Sequence, residues 1–147
     1  MKVYVDTSFL VSLYSPDPNS AIAARTMQFS RRSHFISTLV ELEAVNALEL
    51  RVFRKEISSS QAQSSFRDFE KDVLGGILQL RPLSDQAFER ARRLAKQTTA
   101  RLGTRTADLL HVAAALELGV DYLYSFDQQQ RNARQRLQHR RYTGRFR

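Results

Sequence analysis

The segment that most constrains the fold lies near the start of the chain, where a short apolar run ends in an aspartate. Val3, Tyr4 and Val5 are β-branched or aromatic residues, which favour a buried strand. Asp6 follows, and after it come two hydroxyl residues and an apolar pattern with helical spacing. In open α/β sheets, ligands bind at the carboxyl ends of the strands, so Asp6 stands where a functional group is expected. Helix capping accounts for the same acid, because aspartate accepts hydrogen bonds from free N–H groups at helix starts.

Short apolar segments alternate with helical patterns along the rest of the chain. Further strands are predicted at 34–36 and 77–80 and between Asp121 and Asp127. Helices are predicted at 20–30, from 37 or 38 to 54, after 60, after 84, and at 104–118. This alternation implies a parallel sheet that is covered on both faces. We therefore predict an α/β fold with three layers, α/β/α, around a central and mainly parallel sheet of four or five short strands.

The composition is that of a globular protein. The 147 residues suit one domain, 1–147, that ends in an arginine-rich segment at about 128–147. No apolar run approaches the length of a bilayer span, so no membrane partner is expected. The chain has no cysteine, which excludes disulfides, thiolate catalysis and cysteine-based zinc sites. Because a signal-peptide pattern is also absent, a cytoplasmic setting is expected.

The charge is strongly positive and unevenly distributed. The formal net charge is +8. The segment after Asp127 contains several arginines and no acid. Such an excess is typical of proteins with a polyanionic partner, and nucleic acid is the commonest one. A basic segment that is merely solvated, or that binds a membrane or an acidic protein, has the same composition.

Glu43 is the second acid whose position needs an explanation. The start of its predicted helix fits a capping box between Thr38 and Glu41, which gives Glu41 a structural role. Glu43 points to the other side of the helix. The stripe on that side is predicted to consist of Leu39, Glu43, Asn46, Ala47 and Leu50. An acid on a largely inward stripe is unfavourable without a partner, so a partner for Glu43 is expected.

Asp108 and Asp127 complete a set of four acids. Asp108 lies near the start of a very apolar helix, where the helix dipole alone also favours an acid, and Asp127 follows a strand as Asp6 does. In a parallel sheet all four can face one crevice. Two carboxylates about 4 Å apart repel by roughly 4 kcal/mol at an effective dielectric near 20, so such a cluster must protonate or hold a cation. Oxygen ligands select a hard ion, Mg²⁺ or Mn²⁺, which can activate water and polarise a phosphoryl group.

The motifs around these acids resemble those of PIN domains, and most closely those of VapC-type toxin ribonucleases. The resemblance is carried by Asp6-Thr7-Ser8, Glu43-x-x-Asn46-Ala47-Leu48, the segment from Asp108 to Leu116, and Ser125-Phe126-Asp127. After Asp127 the chain departs from the family pattern, because the arginine-rich segment stands where a final apolar strand is usual.

The resemblance implies a Mg²⁺-dependent endoribonuclease, with Mn²⁺ as a substitute ion. Its metal ligands and catalytic acids would be Asp6, Glu43, Asp108 and Asp127, and the hydroxyl residues that orient them would be Thr7, Ser8 and Ser125. A homodimer, a role as the toxin of a toxin–antitoxin pair and a small cognate antitoxin are also implied. The RNA is expected to be single-stranded or looped, because the narrow deep groove of duplex RNA hides its bases.

Two other functions are compatible with the sequence. One is a non-catalytic RNA-binding or partner-binding module that keeps the PIN-like fold; loss of an acid would be its signature, and all four acids are present. The other is a phosphatase or phosphoacceptor domain with Asp6 as nucleophile. The Asp-x-Asp arrangement of one such class is absent, because Ser8 occupies the second position.

Overall fold

A computed structural model describes residues 1–127. Their strands are β1 (Lys2–Val5), β2 (Ser33–Ser37), β3 (Leu78–Arg81) and β4 (Tyr122–Tyr124). Their helices are α1 (Thr7–Tyr14), α2 (Ser20–Phe29), α3 (Thr38–Phe53), α4 (Ser59–Leu74), α5 (Asp85–Leu102) and α6 (Thr106–Glu117). These elements belong to two compact units. The first unit contains Met1–Pro82 and Val120–Phe126, and the second contains Leu83–Gly119 and Asp127.

The first unit is built on a four-stranded parallel sheet with the strand order β3-β2-β1-β4. In β1, Val3, Tyr4 and Val5 are all completely buried. Since consecutive residues of a strand point to opposite faces, both faces of β1 are covered, as is usual for a parallel sheet. The Asp6 N–H donates to the carbonyl of Tyr124 and so extends the β1–β4 pairing to the carboxyl edge of the sheet. The predicted α/β class and parallel sheet are confirmed.

Serine side chains begin three of the helices. Ser58 caps α4 with a full capping box to Gln61, and Ser84 caps α5 as predicted. Ser37 caps α3 by accepting a hydrogen bond from the Val40 N–H at 3.3 Å. The predicted capping box of Thr38 and Glu41 is therefore wrong, because α3 begins one residue earlier than that box requires.

The buried stripe of α3 also differs from the prediction. Its members are Val40, Ala44 and Leu48, whereas Leu50 is 40% exposed. The predicted stripe is rotated away from this one by about one residue, or 100°. The reason lies in the composition of the helix: its outer side also carries apolar residues, among them Leu42 at 66% exposure, so helical periodicity does not select a single face.

The second unit is formed by α5 packed on α6. Every residue of α6 from Asp108 to Ala115 is buried, as the apolar composition of this helix predicts. Gly119 follows the end of α6 with φ of +61°, the left-handed conformation that glycine commonly adopts after a helix. The helical spacing of Phe88 with Ala91 and Leu94 predicts that Phe88 faces inward, but this prediction is wrong because Phe88 is 53% exposed. The smaller Ala87 and Ala91 are buried.

Within residues 1–127, no helix has the length and apolar character needed to cross a membrane. The single-domain boundaries, 1–147, stay a prediction. The arginine-rich segment at 128–147, and any fifth strand within it, lie outside the described residues.

Candidate metal-binding and catalytic site

Asp6 is a completely buried carboxylate that accepts hydrogen bonds on both of its oxygens. Its Oδ1 accepts from the Ser8 hydroxyl at 2.8 Å and from the Phe9 N–H at 3.0 Å, and its Oδ2 accepts from the Ser125 hydroxyl. These donors offset part of the free energy that burial of a charge costs. The bond from Phe9 makes Asp6 the N-cap of α1, so the capping interpretation is correct. The same donors fix the orientation of the carboxylate, which is how ligating carboxylates are held in metal sites.

Ser8 connects the start of α1 to the segment after β4. While its hydroxyl donates to Asp6, it accepts a hydrogen bond from the Phe126 N–H at 2.9 Å. The rings of Phe9 and Phe126 stack beside it with centroids 5.3 Å apart. The ends of β1 and β4 are thereby held together by both polar and aromatic contacts.

Glu43 is half-buried on α3 and has the partner that its position requires. The Thr7 hydroxyl donates to its Oε1 at 2.9 Å. A further polar contact in the same unit joins the buried hydroxyls of Tyr4 and Ser37, 2.8 Å apart. Burial raises the pKa of the Tyr4 phenol well above its usual value, and the negative charges of Asp6 and Glu43 raise it further. This part of the first unit therefore has a negative potential, which favours a cation.

The other two acids lie in the second unit, and one arginine binds both of them. Asp108 is the third residue of α6 and is only 3% exposed. The Arg105 guanidinium donates to its two oxygens at 2.9 and 3.4 Å, and to Asp127 at 3.5 Å. The Arg105 side chain itself is 64% exposed.

Arg105 was not predicted as part of the site. It precedes Asp108 by three positions at a helix start, and this spacing is the signal that identifies such ion pairs in a sequence. Each of the predicted orienting hydroxyl residues, in contrast, donates to one of the acids: Thr7 to Glu43, and Ser8 and Ser125 to Asp6.

The donor set has the chemistry that Mg²⁺ requires, because all four ligands proposed from the sequence are carboxylates. Asp6 and Glu43 belong to the first unit, and Asp108 and Asp127 belong to the second. In the part of the chain from 1 to 127, no three carboxylate or imidazole side chains are grouped so as to hold a metal ion. The four-acid metal site therefore stays a prediction.

The chain matches a known protein family. The sequence matches the PIN domain family model over residues 3–135, which is most of its length. The protein belongs to the PIN domain family. No curated protein sequence matches it.

Several solved structures of similar length share its fold. The toxin VapC20 of Mycobacterium tuberculosis superposes with a TM-score of 0.70 at 19% identity, over 89% of this chain and 94% of VapC20. FitAcB from Neisseria gonorrhoeae gives 0.68 at 14% identity, over 90% of this chain and 93% of that one. VapBC2 from Rickettsia felis gives a TM-score of 0.63 at 17% identity, over 90% of this chain and 93% of VapBC2. The predicted three-layer α/β/α PIN-like fold is confirmed.

Proposed function

We propose that this PIN domain protein is a Mg²⁺-dependent endoribonuclease that hydrolyses RNA phosphodiester bonds and acts as the toxin of a toxin–antitoxin pair. The observation that carries the proposal is the family match over residues 3–135, which includes all four acids. The descriptions of two structural neighbours bear on it, and that of VapC20 supports it directly. VapC20 is described as a toxin that cleaves the sarcin–ricin loop, and VapBC2 was solved with a DNA fragment from its promoter.

In this proposal Asp6, Glu43, Asp108 and Asp127 bind the ion and are the catalytic acids. Ser8 and Ser125 keep the Asp6 carboxylate in one orientation, and Thr7 does the same for Glu43. When bound, Mg²⁺ lowers the pKa of water and stabilises charge on the phosphoryl and leaving oxygens. Mn²⁺ has similar ligand preferences and is a substitute.

Arg105 has a defined part in this scheme. Its guanidinium neutralises Asp108 and Asp127 where a metal ion would do so. Binding of the ion to these carboxylates requires that the arginine release them. Because its side chain is largely exposed, release costs little packing, and the freed guanidinium has the geometry to bind an RNA phosphate.

The partners follow from the resemblance and the charge. We expect single-stranded or looped RNA as substrate, a homodimer, a small antitoxin protein and a cytoplasmic location. The net charge of +8 supports the polyanionic substrate. A structural neighbour that is a toxin–antitoxin complex from Klebsiella pneumoniae supports the antitoxin.

The direct test is a cleavage assay with purified protein and end-labelled single-stranded RNA in Mg²⁺, in Mn²⁺ and in EDTA. Cleavage is expected with either ion and is expected to stop in EDTA. Asp6→Asn and Asp108→Asn should abolish it, whereas Asp68→Asn, an exposed acid of α4, should cut like the parent. Cleavage by Asp6→Asn at the parental rate would overturn the proposal.

The second candidate is a non-catalytic PIN module that binds RNA or a protein partner. The ion pairs of Arg105 with two of the four acids favour it, since they satisfy these carboxylates without a metal ion. Calorimetric binding of Mg²⁺ and of RNA, with no turnover of any RNA tested, would decide for this module.

A further inference from the structure

A second concave surface lies in the first unit, at the amino-terminal end of β1 and β2. We call it the α2–β2 pocket. It has a volume of about 440 Å³, which is within the usual range for ligand-binding pockets. Its lining includes Phe29, Ser30, Arg31, Arg32 and Tyr124. Met1, which precedes β1, also lines the pocket, whereas Asp6 follows the last residue of that strand.

The pocket carries positive charge that no acid neutralises. Among the described residues, Arg31 and Arg32 form no ion pair. The sequence around them has no acid between Asp17 and Glu41. Two guanidinium groups side by side, without carboxylates, are the usual means of binding a phosphate group.

Arg32 is held in place before any ligand arrives. Its guanidinium lies over the Tyr122 ring at 4.1 Å, and its Nη1 donates to the Tyr124 hydroxyl at 3.1 Å. An arginine with a fixed plane loses less conformational entropy when it binds a phosphate. Arg31 is exposed beside it and adds a second, adaptable donor.

Ser30, His34 and Tyr124 form a hydrogen-bonded network next to Arg32. The Ser30 and Tyr124 hydroxyls are 3.3 Å apart, and His34 Nε2 lies 2.8 Å from the Ser30 hydroxyl. Burial lowers the pKa of His34, and the charge of Arg32 lowers it further, so the ring is neutral at pH 7. The positive charge of the pocket is therefore that of the arginines and does not vary with pH near neutrality.

Phe29 contributes an aromatic surface next to these charges. Its side chain is 70% exposed, at the end of α2. A large exposed ring beside arginines is a feature of proteins that bind single-stranded nucleic acid, because bases stack on the ring while the cations hold the backbone. Hydroxyls at the same place suit the sugar and phosphate oxygens.

We infer that the α2–β2 pocket binds a nucleotide of single-stranded RNA that flanks the cleaved bond, with its phosphate on Arg31 and Arg32 and its base on Phe29. This inference rests on the proposed function for the identity of the polyanion. None of the four acids lines the pocket, so the bound nucleotide is not the one that is cut. The pocket therefore increases the affinity for long substrates and has no part in the chemical step.

The test measures RNA binding separately from cleavage. Fluorescence anisotropy in EDTA gives the Kd of the full chain for a labelled single-stranded RNA long enough to span both sites, and for a dinucleotide. The pocket variants are Phe29→Ala and Arg31→Ala, both at exposed positions. The matched controls are Phe53→Ala and Arg67→Ala, an exposed phenylalanine and an exposed arginine elsewhere in the first unit.

Phe29→Ala is expected to weaken binding of the long RNA by about fivefold or more, the lower limit for loss of one base stack. Arg31→Ala is expected to reduce the slope of log Kd against log salt by about 0.7, the value for one phosphate contact on a single strand. The controls should match the parent, and the Kd for the dinucleotide, which can occupy the pocket by itself, should rise in the same pocket variants.

Two results would overturn the inference. One is a Kd for Phe29→Ala equal to that of Phe53→Ala, because the aromatic surface would then make no contact with a base. The other is equal competition by duplex RNA, whose bases are not available for stacking. Binding that depends on the pocket, in a protein that cuts no RNA in Mg²⁺, would instead contradict the proposed nuclease and leave the pocket supported.

Discussion

Ser125 donates a hydrogen bond to the Asp6 carboxylate, although the two residues are 119 positions apart in the sequence. The parallel pairing of β1 with β4 brings them together. Val5 is in register with Tyr124, so the residues that follow each of them are neighbours at the carboxyl edge of the sheet. The contact therefore follows from the strand register, and it places a buried hydroxyl against a buried acid.

We expect Ser125→Ala to impair cleavage while the protein stays folded. It removes a donor that orients Asp6, and loss of such an orienting hydrogen bond typically lowers metal affinity or activity by about 10- to 100-fold. The free energy of unfolding should fall by about 1 to 3 kcal/mol. Initial cleavage rates and urea unfolding of the parent, Ser125→Ala and the exposed control Ser64→Ala would measure both effects. Equal losses in Ser125→Ala and Ser64→Ala would contradict the orienting role.

The Thr7 hydroxyl leads to a second prediction, which concerns the Mg²⁺ requirement of cleavage and not its maximal rate. Its hydroxyl donates to Glu43, and Thr7→Val removes the donor with little change in volume. The Mg²⁺ concentration needed for half-maximal cleavage should rise by about 10-fold or more, because Glu43 is no longer held in one orientation. Thr7→Ser keeps the donor and should behave like the parent. An unchanged Mg²⁺ requirement in Thr7→Val would argue against Glu43 as a ligand.

The strand pattern made much of this site predictable. Apolar runs that end in Asp6 and near Asp127 are short-range signals, and the parallel sheet follows from the alternation of elements. Faces of helices were harder to predict. In α3 apolar residues surround the helix, and in α5 the small Ala87 is buried while the larger Phe88 is exposed, so tertiary packing decides which side faces inward.

Arg105 was missed for a related reason. A charged residue next to a helix start is usually solvated, and only the burial of Asp108 makes its ion pair significant. Burial of one partner depends on the tertiary structure, which the spacing of the residues does not reveal.

Arg105→Gln should reveal competition between the arginine and a metal ion. In EDTA the variant is expected to be less stable than the parent by about 1 kcal/mol, a value kept small because the Arg105 side chain is largely exposed. In excess Mg²⁺ the difference in melting temperature should shrink or reverse, because the ion no longer competes with the guanidinium for Asp108. Arg101→Gln, an exposed arginine of α5, serves as control. If the difference in melting temperature between Arg105→Gln and the parent were equal with and without Mg²⁺, Arg105 and the ion would not share Asp108 as a ligand.

Asp17, in the loop between α1 and α2, predicts a pH dependence of stability. Burial alone would raise the pKa of its carboxyl, but hydrogen bonds from the Ser12 hydroxyl and the Asn19 N–H, together with Arg51, outweigh burial and hold the pKa below its usual value of 3.8. The Arg51 guanidinium lies 3.1 Å from the carboxylate. A carboxyl whose pKa is lower in the folded state binds protons more weakly there than in the unfolded state.

The stabilisation by Asp17 is therefore complete above the unfolded pKa near 3.8 and is lost as the pH falls through the lower, folded value. Asp17→Asn should reduce the free energy of unfolding by about 1.5 to 3 kcal/mol at pH 7, the range for hydrogen bonds to a charged group. The difference from the parent should shrink as the pH falls below about 4. Urea unfolding of both proteins at a series of pH values measures it, with Asp68→Asn as the exposed control. A difference that stays constant down to the lowest pH would show that Asp17 acts through its shape and not through its charge.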